Sequence, residues 1–263
     1  MQQLDAPITR REQLAPDLVR LTLLAPAIAA GARPGQFLTI KSGPGHDPLL
    51  RRPFSIHRVV ADGSLQVLFK VLGPGTRSLA RLKVGESVNL VGPLGNYFQR
   101  FPAMCLVGGG LGIAPLLFLA QEIRDQAPET RIELLLGARN RQELAPLAAD
   151  FADLGLTPRL ATDDGSWGHH GLVTDLIPQA LGAERDWRIG CCGPYPMMRA
   201  VAALCQERGW GCQVSLETMM ACGIKACLGC AVAPSPRRET GGRYLHVCQD
   251  GPVFNSEDLA WTP

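Results

Sequence analysis

Met104-Cys105-Leu106-Val107-Gly108-Gly109-Gly110-Leu111-Gly112-Ile113-Ala114-Pro115 divides the chain into two kinds of sequence. A short apolar run ends in glycines and opens into a helical stretch from Pro115 to Gln126. Beyond it strand and helix patterns alternate. Arg131 to Leu136, Thr157 to Thr162 and Arg188 to Cys192 read as strands, while Glu143 to Leu154, Val173 to Leu181 and Pro196 to Arg208 read as helices. Such alternation builds a parallel sheet with covering helices. A glycine loop between the first strand and its helix offers free N–H groups and a positive helix end to a pyrophosphate. The fit is not a strict G-x-G-x-x-G, because Ile113 holds the last glycine position. Residues 101–212 are therefore expected to form a Rossmann-like nucleotide domain, with Gly108, Gly109, Gly110 and Gly112 at the phosphates.

Before the divide the reading is all β. Leu18 to Leu24, Gly35 to Ile40, Ser55 to Val60, Leu65 to Val71 and Ser87 to Val91 are strand candidates, separated by turns such as Asp62-Gly63 and Gly73-Pro74-Gly75. Many short strands punctuated in this way favour a closed antiparallel barrel over residues 1–100. Inside it lies Arg51-Arg52-Pro53-Phe54-Ser55-Ile56. A planar guanidinium can grip a diphosphate through two hydrogen bonds, and a hydroxyl two or three residues along could reach a ring nitrogen. The other reading is an arginine pair beside an edge strand. Gly73-Pro74-Gly75-Thr76-Arg77-Ser78-Leu79 adds a glycine turn running into a helix start, a second phosphate contact or an ordinary turn capped by Thr76.

The last fifty residues carry Cys222, Cys227, Cys230 and Cys248, spaced C-x4-C-x2-C-x17-C. Three close thiolates and one distant one are how plant-type [2Fe–2S] clusters are held. The small residues of Ala221-Cys222-Gly223-Ile224-Lys225-Ala226-Cys227-Leu228-Gly229-Cys230 let the loop aim N–H groups at sulfur. A structural zinc site is the competing reading, but zinc sites more often show two C-x2-C pairs and only Cys227 and Cys230 form one. After Gly211 the regular pattern fades, so residues 213–263 are expected to be a small cluster-binding domain.

A formal charge of +2 over 263 residues argues against nucleic acid or an anionic membrane surface as partner. The most apolar run, Met104 to Ala120, is too short and too rich in glycine to span a bilayer. Cys105, Cys191, Cys192, Cys205 and Cys212 sit among apolar neighbours and are expected to be buried thiols in a reducing compartment, the cytoplasm. No secretory signal is visible. His169 and His170 are expected to be solvated loop residues, and Asp164 to serve a turn. Arg139, after the second strand of the α/β half, could meet a 2′-phosphate or face solvent. No Ser/His/Asp set or acid–base pair points to a substrate of the chain's own, so no catalytic side chain is assigned.

Taken in order, these elements resemble the ferredoxin–NADP reductase superfamily. Arg52-Pro53-Phe54-Ser55 is similar to its flavin motif, Gly75-Thr76 to its second phosphate contact, Gly108 to Pro115 to its nicotinamide-nucleotide loop, and Cys192-Gly193-Pro194 to its loop near the nicotinamide. Leu50-Arg51-Arg52-Pro53, Thr162-Asp163-Asp164-Gly165-Ser166, Met220-Ala221-Cys222-Gly223 and Cys248-Gln249-Asp250-Gly251-Pro252-Val253-Phe254 narrow the resemblance to electron-transfer subunits of class B dihydroorotate dehydrogenases. The resemblance implies FAD held by Arg52, Pro53, Phe54, Ser55, Phe69, Lys70, Gly75 and Thr76. It further implies NAD at Gly108, Gly109, Gly110, Gly112, Cys192 and Gly193, and [2Fe–2S] on Cys222, Cys227, Cys230 and Cys248. It also implies a separate FMN-containing catalytic subunit acting in pyrimidine biosynthesis, in a heterotetramer. Flavin subunits of sulfhydrogenases and of NADH-dependent ferredoxin–NADP reductases share the same order, whereas oxygenase-type reductases carry a longer ferredoxin domain. Phe54 replaces a tyrosine common in the superfamily. Lys225 stands where relatives usually have glycine, so a positive φ is expected there. NAD exchanges hydride and a cluster exchanges single electrons, which places the flavin between them.

Overall fold

The computed structural model describes residues 1–261 apart from 44, 46, 237 and 239–241. The first half is a closed antiparallel barrel of six strands in the order β1-β2-β5-β4-β3-β6. They are β1 (Gln2–Ala15), β2 (Leu18–Leu24), β3 (Phe37–Ile40), β4 (Arg52–Val59), β5 (Ser64–Lys70) and β6 (Ser87–Leu94). A four-residue helix α1 (Pro26–Ala29) follows β2, and α2 (Pro74–Arg81) follows β5. The barrel interior is filled by Leu21, Leu23, Ile40, Ile56, Val67 and their neighbours. β1 has no counterpart among the sequence candidates. It pairs on both sides, with β2 and with β6, yet buries only Ala6 and Ile8. A strand that closes a barrel through backbone ladders needs little apolar signal, so its Arg10-Arg11-Glu12-Gln13 face hid it.

The second half is a seven-stranded sheet, β10-β9-β8-β7-β11-β12-β15. Its parallel strands are β7 (Ala103–Gly109), β8 (Arg131–Ala138), β9 (Arg159–Thr162), β10 (His169–His170), β11 (Arg188–Cys192) and β12 (Gly211–Ser215). On one face lie α3 (Ala114–Gln126) and α4 (Arg141–Ala148), packed through Leu116, Leu119, Ile123 and Leu144, with Phe151 just after α4 in the same apolar cluster. On the other lie α5 (Leu176–Leu181) and α6 (Tyr195–Arg208), through Ile177, Leu181, Val201 and Cys205. The helix expected over 143–154 ends at Ala148 and continues as a 3-10 turn through Leu154, with Pro146 inside the helix. His169 and His170 pair with β9 as an edge strand rather than lying in an open loop, and His169 Nε2 sits 3.2 Å from Asp175. Cys105, Cys191, Cys192, Cys205 and Cys212 are buried, as expected.

β12 runs across the position where the cluster segment was expected to begin. β15 (Val253–Asn255), from the far side of that segment, adds antiparallel to it. A two-stranded ribbon, β13 (Ala231–Val232) and β14 (Leu245–His246), lies between. Cys230, Leu245, Val247, Cys248 and Phe254 belong to the same apolar cluster as Cys191 and Val214 of the sheet. Among the described residues, the apolar side chains of the cluster segment pack into the core of the sheet. The segment is clamped to the end of the barrel by Asn96, whose backbone N–H donates to Gly251 O at 2.7 Å and whose Oδ1 accepts from Val253 N at 3.0 Å.

Barrel and sheet are joined across α3. His57 of β4, 1% exposed, places Nδ1 2.8 Å from Ala114 O and Nε2 3.2 Å from Asp150. Arg20 bonds both Asp150 and Glu12. Burial works against ionisation of Asp150, but the bonds from His57 and Arg20 outweigh it and hold its pKa down to about 2. Arg33 adds a 2.8 Å contact to the buried Glu122 of α3.

Candidate flavin, nucleotide and iron–sulfur sites

Arg52 begins β4, half-buried and opposite Ile40 of β3. A Cβ built on Gly75 would lie 2.7 Å from Arg52 Nε and 2.9 Å from Ser42 Oγ. Only glycine leaves this cradle open. Ser42 is 1% exposed and its hydroxyl has no hydrogen-bond partner among the described residues. A buried, unpaired hydroxyl beside a guanidinium and a helix start is what a diphosphate would satisfy. The Arg52, Gly75 and Ser42 arrangement therefore fits the diphosphate of FAD. Ser42 escaped the sequence reading because nothing in Lys41-Ser42-Gly43 distinguishes it from a loop serine.

The neighbouring candidates divide by role. Arg51 turns away from Arg52 and bonds Asn89 of β6, so it ties strands together. Thr76 accepts from Leu72 N at 2.9 Å and from Gly73 N at 3.1 Å, so its hydroxyl closes the turn at the start of α2. Pro53 and Ser55 are partly exposed, and Phe54 points inward, 8% exposed, with its ring centroid 5.1 Å from that of Phe69. Lys70, expected among the flavin contacts, extends Nζ to Glu143 of α4 at 3.3 Å. It thereby reaches the nucleotide half of the molecule.

A cleft of about 700 Å³ opens at the carboxyl ends of β7, β8, β9 and β11. Gly109, Gly110 and Gly112 form one wall and Gly193-Pro194-Tyr195 another, with Lys70, Arg139 and Asp163 at the rim and Glu217 after β12 completing the lining. The loop after β7 is a 3-10 turn, Gly110–Ile113, leading into α3. It is pressed against the loop after β11: a Cβ on Gly112 would stand 2.5 Å from the carbonyl carbon and oxygen of Cys192 and from Gly193 Cα. Gly108 is packed under Ile113 and Leu136, so it shapes the loop from beneath. Cys192 is 1% exposed, and burial pushes its thiol well above the usual range. Cys192 itself does not line the cleft; the chain reaches it from Gly193 onward. Asp164 accepts from Ser166 N at 2.9 Å, as its turn role required.

The four cluster cysteines group two and two. Cys222 and Cys227 lie together toward the surface, Cys230 and Cys248 together in the core, each of these last two 3% exposed. Ile224, Ala226 and Cys227 donate backbone N–H groups to Cys222 Sγ at 3.4, 3.2 and 3.3 Å; Lys225 N donates to Cys248 Sγ at 3.2 Å. Burial at Cys222 acts to raise its thiol, but the donors from Ile224, Cys227 and Ala226 prevail and bring its pKa to about 7. Among the described residues no three His, Cys, Asp or Glu side chains converge as a single zinc ion requires. Two thiolates per iron match a binuclear cluster. Lys225 has φ +60°, as its place in a glycine position suggested, and Leu228 has φ +59°. Lys225 Nζ stands 3.6 Å from Asp250.

The two centres are adjacent. Gly223 is packed on β3, where an added Cβ would be 2.8 Å from the Thr39 methyl, and Thr39 is directly paired with Pro53 of the flavin motif. The cluster loop thus rests one strand away from Arg52-Pro53.

Comparison with known proteins agrees with this geometry. Residues 217–260 match the family model for the iron–sulfur cluster binding domain of dihydroorotate dehydrogenase B, and residues 106–203 match the oxidoreductase NAD-binding domain. The electron-transfer subunit of dihydroorotate dehydrogenase B (NAD(+)) from Desulforamulus reducens is 37% identical over 98% of both chains, and that from Enterococcus faecalis 36% over 96% of both. A chain in the structure of an NADH-dependent reduced ferredoxin–NADP oxidoreductase superposes with a TM-score of 0.84 at 29% identity, covering 97% of this chain and 90% of that one. The ferredoxin reductase of carbazole 1,9a-dioxygenase shares the fold alone, at 22% identity and a TM-score of 0.65 over 80% of this chain. On the evidence of its full-length relatives and of its three sites, the chain belongs to the family of dihydroorotate dehydrogenase B electron-transfer subunits.

Proposed function

We propose that this chain carries electrons from an FMN-containing dihydroorotate dehydrogenase subunit, through [2Fe–2S] and FAD, to NAD⁺. The observation that carries the reading is the packing of Gly223 on Thr39, which sets the cluster loop against the strand pair that holds the flavin motif. A flavin exchanges hydride with nicotinamide and single electrons with a cluster, so it is the required intermediary. The chain's own residues position and insulate. Arg52, Ser42 and Gly75 hold the diphosphate; the Gly109–Gly112 and Gly193 loops shape the nucleotide cleft; N–H groups around Cys222 stabilise thiolate. By function the chain divides into 1–100 for FAD, 101–212 for NAD and 213–263 for the cluster, the last unit borrowing its core from the sheet.

The partner docks at the cluster end. Met219, Ile224 and Leu228 are exposed apolar residues around the outward-facing Cys222 and Cys227, and clustered exposed apolar side chains mark protein contacts. A heterotetramer in the cytoplasm completes the proposal; the nine cysteines are free, and among the described residues no helix is long and apolar enough to cross a membrane. The flavin subunit of an NADH-dependent ferredoxin–NADP reductase complex is the second reading, on the strength of the 29% identical structural neighbour.

One experiment tests the division of labour, and the identity of the partner separates the two readings. The isolated chain, carrying FAD and cluster, should reduce ferricyanide with NADH and leave dihydroorotate untouched; the FMN protein that co-purifies with it should supply dihydroorotate oxidation. Rapid dihydroorotate oxidation by the lone chain would refute the division of labour. The flavin cradle gives a further expectation. Arg52→Ala should weaken FAD binding by roughly ten- to a hundredfold, because a charge-assisted hydrogen bond contributes about 1.5–3 kcal/mol. Flavin content after exhaustive dialysis reports it, and retention equal to the parent would make Arg52 a surface residue only.

A further inference from the structure

The rim of the nucleotide cleft holds an arginine in the place where doubly wound folds meet the 2′ position of the adenosine ribose. β8 is the second strand of the nucleotide fold, and Arg139 directly follows its last residue. An arginine near that strand end can accommodate a 2′-phosphate, as in NADP. In this chain Arg139 is not free to do so. Its guanidinium is engaged by Glu143, one helical turn along in α4, with Arg139 Nε 3.2 Å from Oε2 and Nη2 on Oε1. The same carboxylate takes Lys70 Nζ of the barrel at 3.3 Å. All three residues line the cleft, with Asp163 beside them.

We propose that Glu143 sets the preference for NAD over NADP by holding Arg139 and Lys70, the two cations at this rim that would otherwise bind a 2′-phosphate. Burial sorts the two contacts. The Arg139 side chain is 73% exposed, and an exposed i,i+4 pair is weak and screened by salt. Alone it would yield to a phosphate. The Lys70 and Glu143 side chains are 19% and 21% exposed, and their contact spans the barrel and α4, which makes it the firmer anchor. The Arg139 hydrogen bond holds the Glu143 carboxyl below its ordinary pKa. A 2′-phosphate arriving here meets a fixed carboxylate, and two cations already committed to it. Two cations and two carboxylates, Glu143 and Asp163, cancel; neutralising Glu143 leaves a net positive rim.

This inference rests on the nucleotide cleft assigned above, and its test keeps the two apart. Wild-type and Glu143→Gln proteins, full-length and loaded with flavin and cluster, are assayed for ferricyanide reduction with NADH and with NADPH. Binding of 2′,5′-ADP and of 5′-AMP is measured by calorimetry on the same preparations. If wild type oxidises neither nucleotide, the assignment of the cleft fails, and this inference fails with it. If wild type oxidises NADH, Glu143→Gln should raise the NADPH/NADH ratio of kcat/KM by about tenfold or more, the scale of one charge-assisted contact to phosphate. It should tighten 2′,5′-ADP binding relative to 5′-AMP to a similar extent, and less so at high salt. Adding Arg139→Ala to Glu143→Gln should reverse most of the gain, which a change in folding or flavin content would not do. An unchanged ratio with unchanged 2′,5′-ADP binding, or a gain that survives Arg139→Ala and Lys70→Ala together, overturns the proposal.

Discussion

Cys227→Ser is expected to abolish the iron–sulfur cluster and leave FAD bound. Cys227 is the exposed member of the outer pair, and its backbone N–H donates to Cys222 Sγ. A serine hydroxyl is a far poorer ligand for iron than thiolate, whose softness selects such clusters. Nothing on the flavin side depends on that sulfur. The cradle is built from Arg52, Ser42 and Gly75, and the cluster loop meets the barrel through Gly223 on Thr39, four residues earlier. Hydride exchange between NADH and FAD should therefore proceed at close to the parental rate, while reduction of NAD⁺ by dihydroorotate in the complex with the partner falls to background. Iron and sulfide analysis, the visible spectrum and stopped-flow flavin reduction report the three parts separately. A variant that keeps its iron and its cluster spectrum would sink the ligand assignment; one that loses FAD together with iron would show the sites to be one folding unit.

That second outcome has a physical basis, because the C-terminal segment is less independent than its sequence suggests. Cys230 and Cys248 lie in the apolar cluster that also holds Cys191 and Val214, and β15 extends the sheet through β12. The spacing of the cysteines was legible because ligand geometry constrains sequence directly. The sharing of a core was not, since Val253-Phe254-Asn255 is too short to carry a strand period of its own. β1 was hidden for a related reason: it earns its place by pairing with two strands, and backbone pairing leaves little trace in side-chain pattern. The glycines that close approaches demand were readable in both loops, as was Arg52, but Ser42 and the pairing of Lys70 were not. Ser42 becomes meaningful only as a buried hydroxyl without a partner among the described residues, and the link from Lys70 to Glu143 is seen only in the fold. Lys225 is the converse case. A lysine where relatives usually have glycine implied a left-handed backbone, and φ is +60°. Its charge, however, is met by Asp250, a pairing that no local pattern announced.

The densest backbone contact in the nucleotide site sets the other large effect. Gly112→Ala should impair NADH use far more than its single added methyl group suggests. The new Cβ would stand 2.5 Å from three backbone atoms, the Cys192 carbonyl carbon and oxygen and Gly193 Cα. No side chain can rotate away to make room. Nor can the strands readily separate, because β7 and β11 are neighbouring parallel strands in register from Met104–Arg188 to Gly108–Cys192. One of the two loops must move, and both line the cleft. Overpacking of this kind costs about 1–3 kcal/mol of stability, and displacing a reacting group by about 1 Å can cost roughly a hundredfold in rate. We expect the rate of flavin reduction by NADH to fall by about ten- to a hundredfold, with FAD content unchanged. Gly155→Ala, outside the cleft, supplies the control: an added Cβ there meets nothing within 4 Å, although φ is +65°. It should therefore carry only a backbone cost of about 1–2 kcal/mol, visible in thermal stability more than in hydride transfer. Parental flavin-reduction kinetics in Gly112→Ala, or an equal loss in both variants, would mean that contact between the two loops does not position the nicotinamide.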